Sequence, residues 1–460
     1  MTLHDMALAQ GDDAALAIPW LAREEEAEVP RLRLPEGPLD PRSAYLAVHD
    51  ELLLDGNPRL NLATFVTTWM EPEAHQLIGE SLDKNLIDKD EYPRTAELER
   101  RCVNILADLW HAQPEHAMGC STTGSSEACM LAGLALERRW RARRATGDGR
   151  GARPNLVFGA NVQVVWEKFC RYWDVEPRAI PVGDGATHLT PAGAAGACDE
   201  NTIGVVAILG STFDGSYEPV AGIAAALDRL QEERGLDVPL HVDAAGGGFV
   251  APFLDPDLEW DFRLERVVSI NASGHKYGLV YPGVGWAVWR EASAVPEDLV
   301  FRVDYLGGEM PTFSLNFSRP GAQVVAQYYM FVRLGREGYR RLHAVSRENA
   351  RWVAERVGDL GPFELVSDGG ELPVFAFRLR DGIDAYTVYD ISRELRVDGW
   401  IVPAYPMPEG MSDVHVLRVV VRSGFSRDLA SLFLESLKRA VGELERRAAG
   451  STSQAVAFHH

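Results

Sequence analysis

Ser273-Gly274-His275-Lys276 follows a β-like run, and His241-Val242-Asp243-Ala244-Ala245 lies upstream of it. A lysine amine condenses with a cofactor aldehyde, and a carboxylate keeps a protonated pyridine nitrogen paired. Here an Asp and a Lys each sit just after a short apolar stretch. Residues at the carboxyl ends of strands in an open α/β sheet converge on one crevice, so the two segments together point to pyridoxal phosphate chemistry. One His-Lys pair alone carries little weight, because exposed loop lysines are common. Gly124-Ser125-Ser126-Glu127 adds to it by opening a helical stretch. Backbone N–H groups and the positive end of the dipole at a helix start hold phosphate, and two hydroxyls add donors. An isolated Ser-Ser equally serves as a helix cap. Ala245 leaves room for a flat ring. Gln163 opens a helical stretch and Thr212 follows a strand, which suits contact with the ring or its hydroxyl; each alone is also an ordinary structural residue.

These side chains need a scaffold that gathers them. Residues 1–59 are irregular, with Glu24-Glu25-Glu26, then Pro30, Pro35, Pro38 and Pro41, and a helical stretch at Ala44 to Leu54, and read as an N-terminal arm. From 60 to 345, short apolar runs alternate with helical stretches. Asn155 to Phe158, Ile203 to Leu209, Leu240 to Val242, Val267 to Ile270 and Val284 to Arg290 read as strands; Glu127 to Arg144, Val162 to Tyr172 and Ala221 to Arg234 read as helices. Such alternation predicts a large α/β domain with a mostly parallel sheet covered on both faces. Residues 346–460 read as a small C-terminal α+β domain. It has a helical stretch through Val357, strands at Val374 to Leu379 and Val414 to Val421, and a closing helix from Asp428 to Arg447.

Hydrophobic content of 46% and charged content of 25% over 460 residues suit an ordinary globular chain. The formal charge of −21 excludes a phosphate backbone as partner, so no nucleic acid is expected. It also means that an anionic substrate needs a locally positive pocket. Cys102, Cys120, Cys129, Cys170 and Cys198 form no C-x-x-C pair, which fits neither a disulfide framework nor a metal site and suggests a reducing compartment. The N-terminus carries Asp5, Asp12 and Asp13 without a basic region, and no apolar run approaches the ~18 residues that span a bilayer. A cytoplasmic protein with no membrane partner is the expectation.

The chain as a whole resembles the bacterial and plant glutamate decarboxylases, group II pyridoxal-phosphate decarboxylases of the aspartate-aminotransferase fold (fold type I). The resemblance runs from about residue 43 to the C-terminus. It is dense in Asp55-Gly56-Asn57, Asn61 to Phe65, Asn85 to Lys89, Gly124 to Met130, Phe169 to Val175 and Cys198 to Val205. Its strongest runs are Ser269 to Trp286, Val303-Asp304-Tyr305-Leu306-Gly307-Gly308 and Asn316-Phe317-Ser318-Arg319-Pro320. Agreement over so many ordered segments is far more specific than any one motif.

The resemblance implies decarboxylation of L-glutamate to 4-aminobutanoate, with Lys276 as the cofactor lysine. It makes Ser125, Ser126, Ser273 and His275 the phosphate cup, to which Ser318 adds a contact. Gln163 stacks over the ring; Thr212 and Asp243 are its other contacts. Thr64, Phe65, Asn85 and Asp88 surround the distal carboxylate of the substrate, Arg422 takes its α-carboxylate, and Tyr305 on a Gly-rich loop is the proton donor. The fold implies at least a homodimer, and bacterial relatives build a homohexamer through an arm that the first ~40 residues here do not clearly match. The plant branch carries a calmodulin-binding tail, but Leu437 to Ala449 mixes basic residues with Glu443 and Glu445 and lacks a Trp anchor, so calmodulin is not expected. Phe458-His459-His460 resembles a bacterial tail that plugs the site, and equally reads as a flexible end or a tag remnant.

Physical reasoning adds a pH argument. The reaction consumes a proton, which favours acid. Two carboxylates a few ångströms apart resist joint ionisation, so an Asp88 beside the substrate favours acid again; otherwise Asp88 caps a helix or pairs with Lys84 or Lys89. A related lyase for another amino acid would change the Thr64, Phe65, Asn85 and Asp88 pocket. A silent binding relative would have lost Lys276 or Asp243, and an aminotransferase has no need of the Tyr305 loop.

Overall fold

The computed structural model describes residues 31–144, 153–183, 185–303 and 310–456. They divide into two compact units, parted between Gly56 and Asn57. The first contains helix α1 (Pro41–Leu52). Asp40 caps it by accepting from the N–H groups of Arg42 (3.1 Å) and Ser43 (3.0 Å), and Pro41 supplies a pre-set first turn. The Asp-Pro pair starts this helix three residues before the apolar periodicity does.

The second unit opens with α2 (Pro72–Glu80) and α3 (Pro93–Leu109), then β1 (Met118–Thr122), α4 (Ser125–Arg144), β2 (Asn155–Gly159), α5 (Val165–Tyr172) and β3 (Glu176–Ile180). It continues through β4 (Thr202–Ile208), α6 (Val220–Arg234), β5 (Leu240–Asp243), β6 (Val267–Ala272) and β7 (Gly285–Trp289). The strands form one sheet in the order β1-β7-β6-β5-β4-β2-β3, parallel except that β7 runs against both neighbours. Every residue of β2, β4, β5 and β7 is buried, as a sheet covered on both faces requires. Helix α4 is buried along most of its length against β6, β7 and α5. Its small residues let neighbours approach: a Cβ on Gly133 would lie 2.5 Å from the Phe169 ring.

Beyond a two-stranded hairpin, β8 (Phe301–Val303) with β9 (Met310–Thr312), runs α7 (Ala322–Gly358). Gly335 breaks α7 at φ 56°, a conformation only glycine adopts cheaply. A second sheet follows from β10 (Phe363–Leu365), β11 (Val374–Leu379), α8 (Val388–Val397), β12 (Ala404–Pro406), β13 (His415–Val420) and α9 (Arg427–Val456). Its order is β10-β11-β13-β12, all antiparallel. Thr387 and Asp390 form a capping box at the start of α8. Phe363, Phe375, Phe377, Ile391, Leu417, Val419, Phe433 and Leu437 form a separate core between this sheet and its helices, each with no exposed surface. Among the described residues, no helix is long and apolar enough to cross a membrane.

At the carboxyl edge of the large sheet, Glu218 joins three segments. It accepts from the N–H of Ile208 (2.7 Å), the N–H of Leu189 (3.0 Å) and the amide of Asn161 (2.9 Å). Burial pushes its carboxyl from 4.5 up to about 7. The folded chain then holds a proton that the unfolded chain has released, so this contribution is full below pH 4.5 and lost as pH rises towards 7. Thermal unfolding should show stability falling across that window by about 3 kcal/mol from this group. Glu218→Gln, though less stable overall, should lack that slope.

Candidate active site

Parallel pairing of β5 with β6 sets Asp243 beside Asn271. Just past these strand ends the chain turns tightly: the Ser273 N–H donates to the Ala245 carbonyl (3.2 Å) and the Lys276 N–H to that of Ser273 (3.2 Å). The first turn of α4 comes in from the other side, and the Ser125 and Ser273 hydroxyls meet at 2.5 Å. Gly285 makes this approach feasible, since a Cβ there would lie 2.4 Å from the Gly124 carbonyl carbon. Between these elements lies a cavity of about 330 Å³, lined by Ser125, Ser126, Gln163, Thr212, Asp243, Ala245, Ser273, His275 and Lys276. It is within the size range of small-ligand sites. Gln163 stands just before α5, where its side-chain oxygen accepts from the Val165 N–H (2.7 Å).

Asp243 is 4% exposed and is held by donors. Its Oδ2 accepts from Trp166 Nε1 (2.9 Å) and its Oδ1 from Asn271 Nδ2 (2.9 Å) and the Ala245 N–H (3.2 Å). The Cys129 thiol adds a long contact at 3.6 Å. Behind Asn271, His241 lies with Nδ1 2.8 Å from the Ser269 hydroxyl and Nε2 2.8 Å from Asn271 Oδ1. Because the Asn271 amide donates to Asp243, its oxygen must accept, so His241 carries its hydrogen on Nε2. Burial holds this imidazole neutral, down to about 4.

Burial also lowers the Lys276 amine below the usual lysine range, with Asp243 opposing the shift and Arg418 adding to it. A lysine that gives up its proton readily is the kind that attacks a carbonyl. His275 is pushed down to about 4, first by burial and then by the Lys276 charge, and so stands neutral beside the phosphate end. The donor set fits pyridoxal phosphate. Unpaired N–H groups of the first turn of α4 and two hydroxyls face an anion, a buried carboxylate faces a protonated ring nitrogen, and a depressed amine stands near an aldehyde.

On the substrate side, the Thr67 N–H donates to the His275 carbonyl (2.8 Å) and its hydroxyl to that of Lys276 (2.7 Å). This stitches Thr64 and Phe65 beside the lysine, whose Nζ lies 5.2 Å from the Phe65 ring centre. Arg422 lies near this segment but does not line the cavity. Its two terminal nitrogens donate to the Pro58, Asn61 and Val66 carbonyls and to the Thr68 hydroxyl. Thr64, Phe65, Asn85, Asp88 and Ser318 do not line it either. Asn85 donates to the Ser318 hydroxyl (3.3 Å) and accepts from the Arg319 N–H (3.1 Å), and Asp88 sits in the same turn. Lys84 pairs with Asp83 at 2.8 Å. Tyr305, His459 and His460 fall outside the described residues.

Residues 36–380 match the model of the pyridoxal-dependent decarboxylase conserved domain. The chain belongs to this family. It is 55% identical over 416 residues to a glutamate decarboxylase of Aliivibrio fischeri, covering 90% of this chain and 89% of that one. It is 50% identical over 443 residues to glutamate decarboxylase 5 of Arabidopsis thaliana, covering 96% and 90%. The solved glutamate decarboxylase of Lactobacillus brevis superposes with a TM-score of 0.87 at 48% identity, over 90% of this chain and 95% of that one. A Burkholderia pseudomallei sphingosine-1-phosphate lyase, at 24% identity and a TM-score of 0.75, shares the fold. A pyridoxal-dependent decarboxylase of fold type I thus has pyridoxal phosphate as its cofactor, as the residues had suggested.

Sequence reasoning missed Trp166, Asn271 and Thr67. Asn271 alternates with Ser269 on β6, a signal that was available; a tryptophan on the buried face of an amphipathic helix carried none. Trp166→Phe removes one hydrogen bond to a charged group while leaving an aromatic in place. Cofactor affinity, measured by titrating the apoprotein, should fall roughly tenfold or more. Unchanged affinity would remove Trp166 from the clamp.

Proposed function

We propose that this chain decarboxylates L-glutamate to 4-aminobutanoate and CO2, with uptake of one proton. The observation that carries the chemistry is the meeting of Lys276, Asp243 and the start of α4 in one cavity. The substrate follows from relatives at 55% and 48% identity that are glutamate decarboxylases along nearly their whole length.

Bound pyridoxal phosphate supplies an electron sink for the pair left on the α-carbon when the carboxylate departs as CO2. Lys276 offers a deprotonated amine to hold the cofactor and to be displaced by the substrate amine. Asp243, fixed by Trp166, Asn271 and Ala245, keeps a negative charge against the ring nitrogen. Ser125, Ser126, Ser273 and His275 anchor the phosphate, and Gln163, Thr212 and Ala245 bound the ring. Arg422, whose Nε–H has no acceptor among the described residues, is the donor for the α-carboxylate. Tyr305 delivers the proton to the α-carbon.

Thr64 and Phe65 face the distal part of the substrate from the chain that holds Lys276. Asn85, Asp88 and Ser318, clustered outside that cavity, reach it from a second copy, so the working form is at least a homodimer, with a homohexamer as the larger assembly. The His459-His460 tail acts as a plug that leaves in acid, and the protein works in the cytoplasm.

Purified protein loaded with pyridoxal phosphate should convert L-glutamate at about pH 5 into equal amounts of CO2 and 4-aminobutanoate, and Lys276→Ala should abolish this. A visible cofactor band without product would favour another amino acid as substrate. Asp88→Asn should flatten the rise of activity towards acid, as expected when a like charge beside the substrate is removed; an unaltered pH profile would dismiss that role.

A further inference from the structure

Arg418 lies on β13, in the smaller sheet, and its guanidinium reaches the Phe65 ring beside Lys276 without lining the cavity. It is 7% exposed. Its guanidinium donates to the Ala63 carbonyl at 2.6 Å and to the Thr212 carbonyl, tying the segment that carries Thr64 and Phe65 to the loop that bounds the ring. It lies 4.7 Å from the Phe65 ring centre and 5.6 Å from that of Tyr405. Lys276 Nζ lies over the same Phe65 ring at 5.2 Å. Among the described residues, carbonyls, aromatic faces and the Tyr405 hydroxyl are the partners of Arg418, and no carboxylate pairs with it. Its Nε–H, buried, has no acceptor. A guanidinium withdrawn from water without a counter-charge is costly, and an apolar side chain would fill the space at less expense. A cation kept there serves something other than packing.

We propose that Arg418 is a positioning residue for the reaction: it locks Ala63–Phe65 against the Thr212 loop and, through the Phe65 ring it shares with Lys276, sets a permanent positive charge beside the lysine nitrogen. The substrate half of this rests on the glutamate decarboxylase reading; the charge half does not. Facing Lys276 are Asp243 from β5, Cys129 from α4, His275 in its own turn and Arg418 from β13. Facing Arg418 are Tyr405 from β12 and Tyr277 beside the lysine. Burial raises the Cys129 thiol and both tyrosines, so they stay protonated, and His275 is neutral. The charges that bear on the lysine nitrogen in the working range are therefore Asp243 and Arg418, acting in opposite senses. Arg418 disfavours a proton on that nitrogen, and cation–π attraction from Phe65 partly offsets it.

The test uses the holoenzyme and reads the pH midpoint at which the visible absorbance of the lysine-bound cofactor changes, a signal that needs no turnover. Arg418→Met should raise this midpoint by roughly one pH unit, because a like charge is gone. Arg418→Lys should leave the midpoint near the parent value, since it keeps the charge. Both variants should raise KM for L-glutamate more than they lower kcat, since neither keeps the two-carbonyl bridge. Should Arg418→Met not fold, Phe65→Leu carries the test in the opposite sense: losing the ring that favours the cation lowers the midpoint. A midpoint in Arg418→Met equal to the parent, a shift in Arg418→Lys as large as in Arg418→Met, or no shift in Phe65→Leu would overturn the proposal. A protein that passes the absorbance test but does not decarboxylate glutamate would count against the function reading alone.

Discussion

The site depends on a carboxylate kept almost wholly out of water. An isolated buried carboxylate takes up a proton rather than bear the desolvation cost. Asp243 is met by three donors, the N–H groups of Trp166, Asn271 and Ala245, each on a different segment. The orientation of Asn271 is in turn fixed by His241 and Ser269. The central strands and α5 are thus held in register by what one side chain requires, and that side chain is directed into the cavity by the same contacts.

The opposite end of the cavity relies on close backbone approach. Helix α4 can set its first turn against the Ser273 loop because Gly285 leaves room under Gly124. Lys276 lines the same cavity, and its amine feels Asp243 and Arg418 in opposite senses. The lysine turn is stitched to Thr67, and β13 sends Arg418 and leads into Arg422. The smaller sheet therefore helps to fix the segment on which Thr64 and Phe65 stand.

The central strands were legible because each carries a short apolar run; Val374–Leu379 falls where the pattern put it, and β2, β4, β5 and β6 within two residues. The edge strands were not. Met118–Thr122 is made of small and polar residues, and Glu176–Ile180 carries a proline that only an edge tolerates. That Ser125, Ser126, Asp243, Ser273, His275 and Lys276 would meet was legible because each belongs to a short local motif. The donors to Asp243 were not, because a tryptophan N–H and an asparagine amide acquire that role only through packing. Asn85, Asp88 and Ser318 show a further limit: resemblance assigns them to a substrate site, whereas within one chain they cluster with each other outside the cavity.

The most direct measurement is covalent trapping. The holoenzyme is reduced with borohydride, digested, and the cofactor-bearing peptide is located by mass spectrometry. The account predicts one adduct per chain, on Lys276. An adduct on another lysine, or none while the cofactor remains bound, would contradict it.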